Sequence, residues 1–505
     1  MKDIDDSKKL YSNKLVAKNT AYNLLGYGIP LLLAIIFIPM LIKQLGYEKF
    51  GILNLAWVVI GYFSFLDFGI GKSLTKIIAE KMGLNLQESI PGYFWTSLIL
   101  MLGFSTVVSF FLFLAVPFLV NDFFKVTKEL KNESIHAFYA LVISIPIVTT
   151  TAGLRGVLEA YQKFGIINIL RTFLGGFTFI TPLICLIFTN NLLWIVISLI
   201  ILRIFIWVLY FLNCLKVNSN LKSKVAFNSA LFKDVIKLSG WITVSNIIGP
   251  LFIYLDRFFI GALISVSAIT YYATPYEVIT KLLLIPGALV GVLFPIFSAT
   301  YLNDPKFSAS LFKRGIKFIF LLLYPIILII ISFAYEGLNL WVGKDFAINS
   351  TFILQMLSFG VLVLSIAYVP FHFLQGIGKP DIPAIVNLIE LPFYLLILWY
   401  ALINFGINGA ALVWTVRIFI DAIILLYFSQ NISKNIIDFK LYFSFSLLIC
   451  VLIVPVFFSS FLFKISFVSS ILFILLILSW NYFLEYEEKE FLILKLKSIF
   501  YKKNI

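Results

Sequence analysis

Fourteen stretches of predominantly apolar residues, separated by short polar breaks, run along this chain. They fall at 19–42, 50–71, 92–120, 136–158, 166–188, 192–215, 238–262, 274–301, 315–335, 350–374, 383–405, 408–430, 441–463 and 465–485. A helix needs roughly 20 mostly apolar residues to cross the hydrocarbon of a bilayer. The breaks carry Gly, Pro, Asn or charge, the residues that end helices. The pattern predicts an all-α polytopic membrane protein of about fourteen transmembrane helices. The first stretch follows a charged tail, is too long for the apolar core of a signal peptide and lacks a small-residue cleavage site, so it is expected to stay as a span.

The pattern also repeats. Asn23-Leu24-Leu25-Gly26 opens the first stretch, and Asn246-Ile247-Ile248-Gly249 lies near the start of the seventh, 223 residues later. Leu158 to Lys163 is echoed by Leu374 to Lys379 at an offset of 216, and Arg203 by Arg417 at 214. A duplicated six-span unit is a frequent plan for transporters that expose a central site alternately to either side. The expected organisation is two pseudo-symmetric lobes. The first covers 1–215 with its cytoplasmic tail, a basic cytoplasmic linker covers 216–237, the second lobe covers 238–430, and two further spans with a tail cover 431–505.

Composition agrees with a membrane protein: 61% of the 505 residues are hydrophobic and 13% charged, against about 45–50% and about 25% in soluble domains. The net charge of +14 would suggest nucleic acid in a soluble chain. Here the bases punctuate apolar spans. With the N-terminus inside, 27 Lys and Arg flank the spans on the inner side and 7 on the outer, which places both termini in the cytoplasm. The linker holds Lys216, Lys222, Lys224, Lys233 and Lys237, a topology signal or a surface for anionic lipid.

Little points to catalysis or metal. Cys185, Cys214 and Cys450 lie in or beside apolar runs without paired spacing, and His136 and His372 lack a metal-ligand pattern. Gly69-Ile70-Gly71-Lys72-Ser73 ends like a phosphate-binding loop, but Leu66 stands where the motif needs Gly, and a membrane helix precedes it. The longest outer segment, 121–135, is short for a catalytic domain. A cofactor is not expected, beyond H+ or Na+ as a coupling ion.

The candidate site residues are the charges inside the spans. Lys or Arg at a bilayer centre costs roughly 2.5–3.5 kcal/mol on insertion scales, so such residues face a cavity or a partner. With Arg155 and Lys317, close to span ends, counted among the cytoplasmic flanks, five bases qualify: Arg171, Arg203, Arg257, Lys281 and Arg417. Lys281 follows Glu277 by four residues and Arg417 precedes Asp421 by four, spacings that place each pair on one helix face. Arg171 and Arg203 have no acid at three or four residues on either side. Arg203 lies near mid-span, whereas Arg171 is close enough to the cytoplasmic end to snorkel. Asp256 and Arg257 are adjacent, about 100° apart around a helix, so one faces a cavity while the other meets a neighbouring helix. Glu390 and Asp67 would bind a coupling ion or pair with an Arg. An arginine-lined cavity suits phosphate, because the guanidinium donates two parallel hydrogen bonds. It suits a cationic drug poorly.

Several motifs carry a family resemblance. They are Leu45-Gly46-Tyr47-Glu48-Lys49-Phe50-Gly51, Leu66-Asp67-Phe68-Gly69-Ile70-Gly71, Leu255-Asp256-Arg257-Phe258-Phe259-Ile260-Gly261, Gln375-Gly376-Ile377-Gly378-Lys379-Pro380 and Glu390-Leu391-Pro392. In order and spacing the chain resembles the Wzx-type polysaccharide flippases of the multidrug/oligosaccharidyl-lipid/polysaccharide exporter superfamily over roughly residues 15–430. The resemblance implies a bacterial inner-membrane flippase for undecaprenyl-diphosphate-linked oligosaccharide. Two six-helix lobes would form a V around a cationic central cavity, driven by an ion gradient or membrane potential. A polysaccharide polymerase and a chain-length regulator are the implied protein partners. It also implies a lobe-interface role for Asp256-Arg257. A lipid II flippase, a cation-coupled drug exporter and a membrane glycosyltransferase or polymerase remain as alternatives.

Overall fold

A computed structural model describes residues 13–65, 70–83, 86–222, 231, 251–301, 304–433, 439–458, 460–486 and 488–490. The described residues form helices, turns and bends without a strand. Nine helical segments among them are long and apolar enough to cross a membrane. Asp67, the tetrad at 246–249 and most of the predicted linker lie outside the described residues.

In chain order the helices are α1 (Asn13–Phe65), α2 (Ile70–Gly83), α3 (Ile90–Phe118), α4 (Lys128–Ala160), α5 (Phe164–Leu186) and α6 (Leu192–Val217). Helix α7 (251–263) comes next. The remainder are α8 (Val266–Ile279), α9 (Leu284–Thr300), α10 (Pro305–Ser332), α11 (Ala334–Trp341), α12 (Lys344–Gly376), α13 (Asp381–Ile432), α14 (Phe439–Val451) and α15 (Phe461–Leu478). The longest two, α1 and α13, are each broken by a glycine with positive φ: Gly46 at 75° and Gly406 at 60°. Glycine enters that region without the penalty a Cβ incurs. Both glycines fall in breaks between predicted spans, so each long helix contains two apolar stretches.

The chain divides into two compact units. One comprises Met1–Val278 and Asn387–Ala410, the other Ile279–Val386 and Ala411–Ile505. In the first unit α4 is the central helix and packs on α1, α2, α3 and α6. Its apolar window is 67% buried, against 17% for the peripheral α5. Pro146 interrupts α4 and cannot donate to the carbonyl four residues back. That carbonyl, Val142 O, accepts instead from Ser109 Oγ of α3 at 2.6 Å. Thr75 Oγ1 of α2 bonds Gly156 O of α4 at 2.9 Å. Glu133 ties three helices at one end: it pairs with Lys49 at 3.3 Å and accepts from the Leu192 N–H that opens α6.

Gly51 marks the contact between α1 and α8. A Cβ there would sit 2.1 Å from Val266 O, which leaves glycine as the one residue that fits. The same contact joins Thr270 Oγ1 to Tyr47 O at 2.8 Å and brings the Tyr47 and Tyr271 rings to 4.9 Å. The start of the predicted linker is also folded: Leu221 is buried, and its carbonyl accepts from Trp95 Nε1 at 2.9 Å.

In the second unit α12 packs on α9, α10 and α11. The last helices, outside the sequence repeat, are fixed to it at several points. Phe445 stacks on Phe320 at 3.9 Å, and Tyr324 Oη donates to Leu448 O at 2.9 Å. Lys464 pairs with Glu336 at 2.7 Å and Lys317 with Glu488 at 2.6 Å. Large apolar side chains stand exposed on both units, among them Phe110, Phe111, Ile187 and Phe188 on the first and Leu462, Phe463 and Leu476 on the second. A soluble surface avoids such contiguous apolar area; lipid covers it.

A three-arginine cavity and a buried charge cluster

Three helices of the first unit converge on a cavity of about 100 Å3. Each contributes one arginine: Arg155 from the last turns of α4, Arg171 from the second turn of α5, and Arg203 from the middle of α6. Thr151 and Tyr210 add hydroxyls, and Val148, Leu174 and Ile206 form apolar walls. Local spacing explains the arrangement. Val148, Thr151, Ala152 and Arg155 recur at three and four residues, as do Arg171 with Leu174 and Arg203 with Ile206 and Tyr210, so each set shares one helix face.

The three guanidiniums differ in what holds them. Arg203 has neither a hydrogen bond nor an ion pair among the described residues. Arg171 Nη1 reaches Asn168 Oδ1 at 3.4 Å. Arg155 Nε lies 3.5 Å from Glu159 Oε1, one turn further along α4. Tyr210 is buried and donates to Ile167 O at 3.4 Å. Behind the cavity, Trp207 Nε1 donates to Thr150 Oγ1 at 3.0 Å and its ring stacks on Phe211 at 5.4 Å. The structure thus brings Arg171 and Arg203 together, as two sites on adjacent helices. The reading of spans left out Arg155, counted with the cytoplasmic flank because it stands near the end of its stretch. Its spacing from Glu159 was the available signal.

The second charge cluster is closed. Asp256 and Arg257 on α7 are 0% and 1% exposed. Arg257 Nη2 donates to Glu277 Oε1 of α8 at 2.8 Å. The Arg257 guanidinium lies 5.1 Å from the Tyr276 ring centre and 5.8 Å from that of Tyr254, within cation–π range. Asp256 Oδ1 accepts the Arg257 backbone N–H at 2.7 Å. Arg257 meets the neighbouring helix through Glu277, and Asp256 lies within electrostatic range of Tyr272 on that same helix, so both face α8. Glu277, which shares a helical face with Lys281 by spacing, is also engaged by Arg257 from the neighbouring helix. Lys281 itself lies in the 3-10 turn Thr280–Leu283, after α8 has ended.

The other candidates lie elsewhere on the chain. Glu390 is half-buried on α13 in the first unit, its carboxylate oxygens shielded from solvent. Arg417 and Asp421 lie one turn apart on the later part of α13, within electrostatic range of each other, in the second unit. His136 and His372 each bond a carbonyl four residues back, at 2.7 and 2.8 Å. Among the described residues no group of three or more His, Cys, Asp or Glu could hold a metal ion.

The sequence pattern of the family "Polysaccharide biosynthesis protein" matches residues 16–301, more than half of the chain. A "Putative O-antigen transporter" of Shigella flexneri is 33% identical over 417 residues, covering 81% of this chain and 96% of that protein. The chain belongs to the polysaccharide biosynthesis protein family. As a member of this flippase family it is a membrane transporter and not an enzyme. The solved structures it resembles share its fold. "Lipid II flippase MurJ, inward closed conformation" aligns with a TM-score of 0.69 at 15% identity, covering 91% of this chain and 98% of that one. An inward-facing multidrug resistance MATE family transporter of the MOP superfamily aligns with a TM-score of 0.66 at 14% identity, covering 83% and 95%.

Proposed function

We propose that this chain flips undecaprenyl-diphosphate-linked oligosaccharide repeat units, of the O-antigen or capsule kind, from the cytoplasmic to the outer leaflet of a bacterial inner membrane. The observation that carries the reading is the cavity of Arg155, Arg171 and Arg203, in which Arg203 has no partner among the described residues. A guanidinium at membrane depth that no described residue neutralises calls for an anionic ligand. Diphosphate matches it in charge and in the geometry of its oxygens. A cationic drug would be repelled. The name of the Shigella flexneri relative supports a surface-polysaccharide substrate.

In this reading the chain has fourteen spans with both termini cytoplasmic. The fourth and fifth spans then put Arg155 and Arg171 toward the cytoplasm, with Arg203 about halfway across. The diphosphate would be captured from the side where it is made and handed inward, while the polyprenyl tail stays in lipid. Alternating access would follow from an ion gradient or the membrane potential, with Asp256, Glu277, Glu390, Asp421 and Asp67 as candidates for ion coupling or charge pairing. Arg257, Arg417 and Lys281 would add to the positive field. A polymerase and a chain-length regulator would receive the product. Lipid II is the second substrate to test, supported by the likeness to its flippase over 91% of this chain.

The test is movement of a fluorescent polyprenyl-diphosphate oligosaccharide across sealed proteoliposomes, with and without a pH gradient, a Na+ gradient or an imposed potential. Gradient-sensitive flipping is expected, with lipid II moved more slowly. Failure with a panel of sugars, alongside efflux of a cationic dye, would overturn the reading.

A further inference from the structure

We infer that Glu159 is a resident counter-anion: it holds Arg155 while the cavity is empty and yields it to the substrate's diphosphate. The inference rests on the reading of the three-arginine cavity as an anion site.

Three observations carry it. Arg155 is a cavity wall residue that has an acid partner of its own, Glu159, at 3.5 Å. That pair is built to be exchanged: the side chains are 38% and 34% exposed and stand one turn apart on one helix, where ion pairs contribute little. The contrast is with the arginine of Arg257–Glu277: that pair is 2.8 Å long and its arginine side chain is 2% exposed, although the glutamate is 37% exposed. Glu159 also stands close to the cavity, one turn beyond the wall residue Arg155 and within electrostatic range of the Tyr210 hydroxyl on that wall.

The chemistry gives the pair a purpose. Diphosphate offers charge-assisted hydrogen bonds to three guanidiniums, and a site that binds so firmly is slow to empty. Affinity is expressed mainly in the rate of leaving. A tethered carboxylate competes for one of the three arginines, so it weakens capture a little and speeds release. It also returns Arg155 to the same place after each cycle. Arg203, without such a competitor, keeps the register of the bound anion.

The measurement is binding of inorganic pyrophosphate to the full chain in nanodiscs of neutral lipid at low salt, followed by flipping rates in proteoliposomes. Glu159→Gln is expected to tighten pyrophosphate binding about two- to tenfold and to lower the apparent KM of flipping, with a lower maximal rate. Glu159→Asp, which keeps the charge, should behave as wild type in sign and direction. In an Arg155→Ala background the gain from Glu159→Gln should vanish, because the competed group is gone. A gain that persists there would overturn the competition and leave only a general field of the carboxylate. If Arg203→Ala and Arg155→Ala leave pyrophosphate binding unchanged, the cavity is not the anion site. If they weaken it while Glu159→Gln changes nothing, the cavity reading stands and the role of Glu159 is wrong.

Discussion

Arg203 and Arg257 are both arginines in apolar helices of the same unit, yet the protein treats them in opposite ways. Arg257 is sealed: a carboxylate from the next helix meets it at 2.8 Å, two tyrosine rings flank it, and it is 1% exposed. Arg203 shares an open cavity with two more arginines and has no partner among the described residues. A charge that the fold neutralises is a structural tie, and one that the fold leaves over is a demand for a ligand. The difference separates stability from transport, and variants at the two places should divide along that line.

Arg257→Ala should have the largest effect. It strands the fully buried Asp256 without its cation, and a buried charge left uncompensated costs about 3–5 kcal/mol. Folded yield on size exclusion and the Tm in detergent should both collapse, with Arg257→Lys intermediate. A well-folded Arg257→Ala protein with ordinary Tm would end its assignment as a tie. Arg203→Ala should do the reverse, lowering flipping about tenfold or more, which is about 1.4 kcal/mol per decade of transition-state binding, at unchanged yield and Tm. Full transport would remove Arg203 from the substrate path.

Converting one site into the other sharpens the comparison further. Ile206→Glu places an acid three residues from Arg203 on the cavity wall. It should cut flipping to the level of Arg203→Ala while leaving the chain folded; undiminished flipping would show that a neutralised Arg203 still serves. Salt provides a milder probe. Raising it from about 0.05 to about 0.5 M shortens the screening length, so pyrophosphate binding should weaken several-fold while Tm stays put. Equal loss in both would mean that the two clusters are equally exposed. The smallest effect is expected beside the cavity, at residues next to its lining. Thr150→Val removes the acceptor of Trp207 Nε1 and should destabilise by about 1 kcal/mol, seen as a shift of a degree or two in Tm with flipping retained.

Much of the fold could be read along the chain because the forces that set it are local. Twenty apolar residues in a row leave a helix no other place than lipid or a core, and the breaks at Gly46 and Gly406 are backbone effects of single residues. Arg171 and Arg203 were visible for a similar reason: the absence of an acid within one helical turn is a statement about nearest neighbours. Arg155 was missed because its place near a span end made it a topology charge in the count, although its face of α4 carries Thr151 and Ala152 to the same cavity. The partner of Glu277 was out of reach of such reasoning. Lys281 is four residues away along the chain, whereas Arg257, which the carboxylate meets at 2.8 Å, is twenty away on another helix.

The order of residues by itself determined that the chain is a helical membrane protein, where its helices bend, and which charges lack an acid within one turn of their own helix. Apolarity and periodicity act over one or two turns, so they survive any change in how helices are arranged. The packing of α4, α5 and α6 determined that three arginines share one cavity, and the packing of α7 on α8 determined that a fourth is locked away. Those outcomes depend on distances between residues far apart in the chain, and a charge in a medium of low dielectric responds to whatever lies within a few ångströms, whichever helix supplies it.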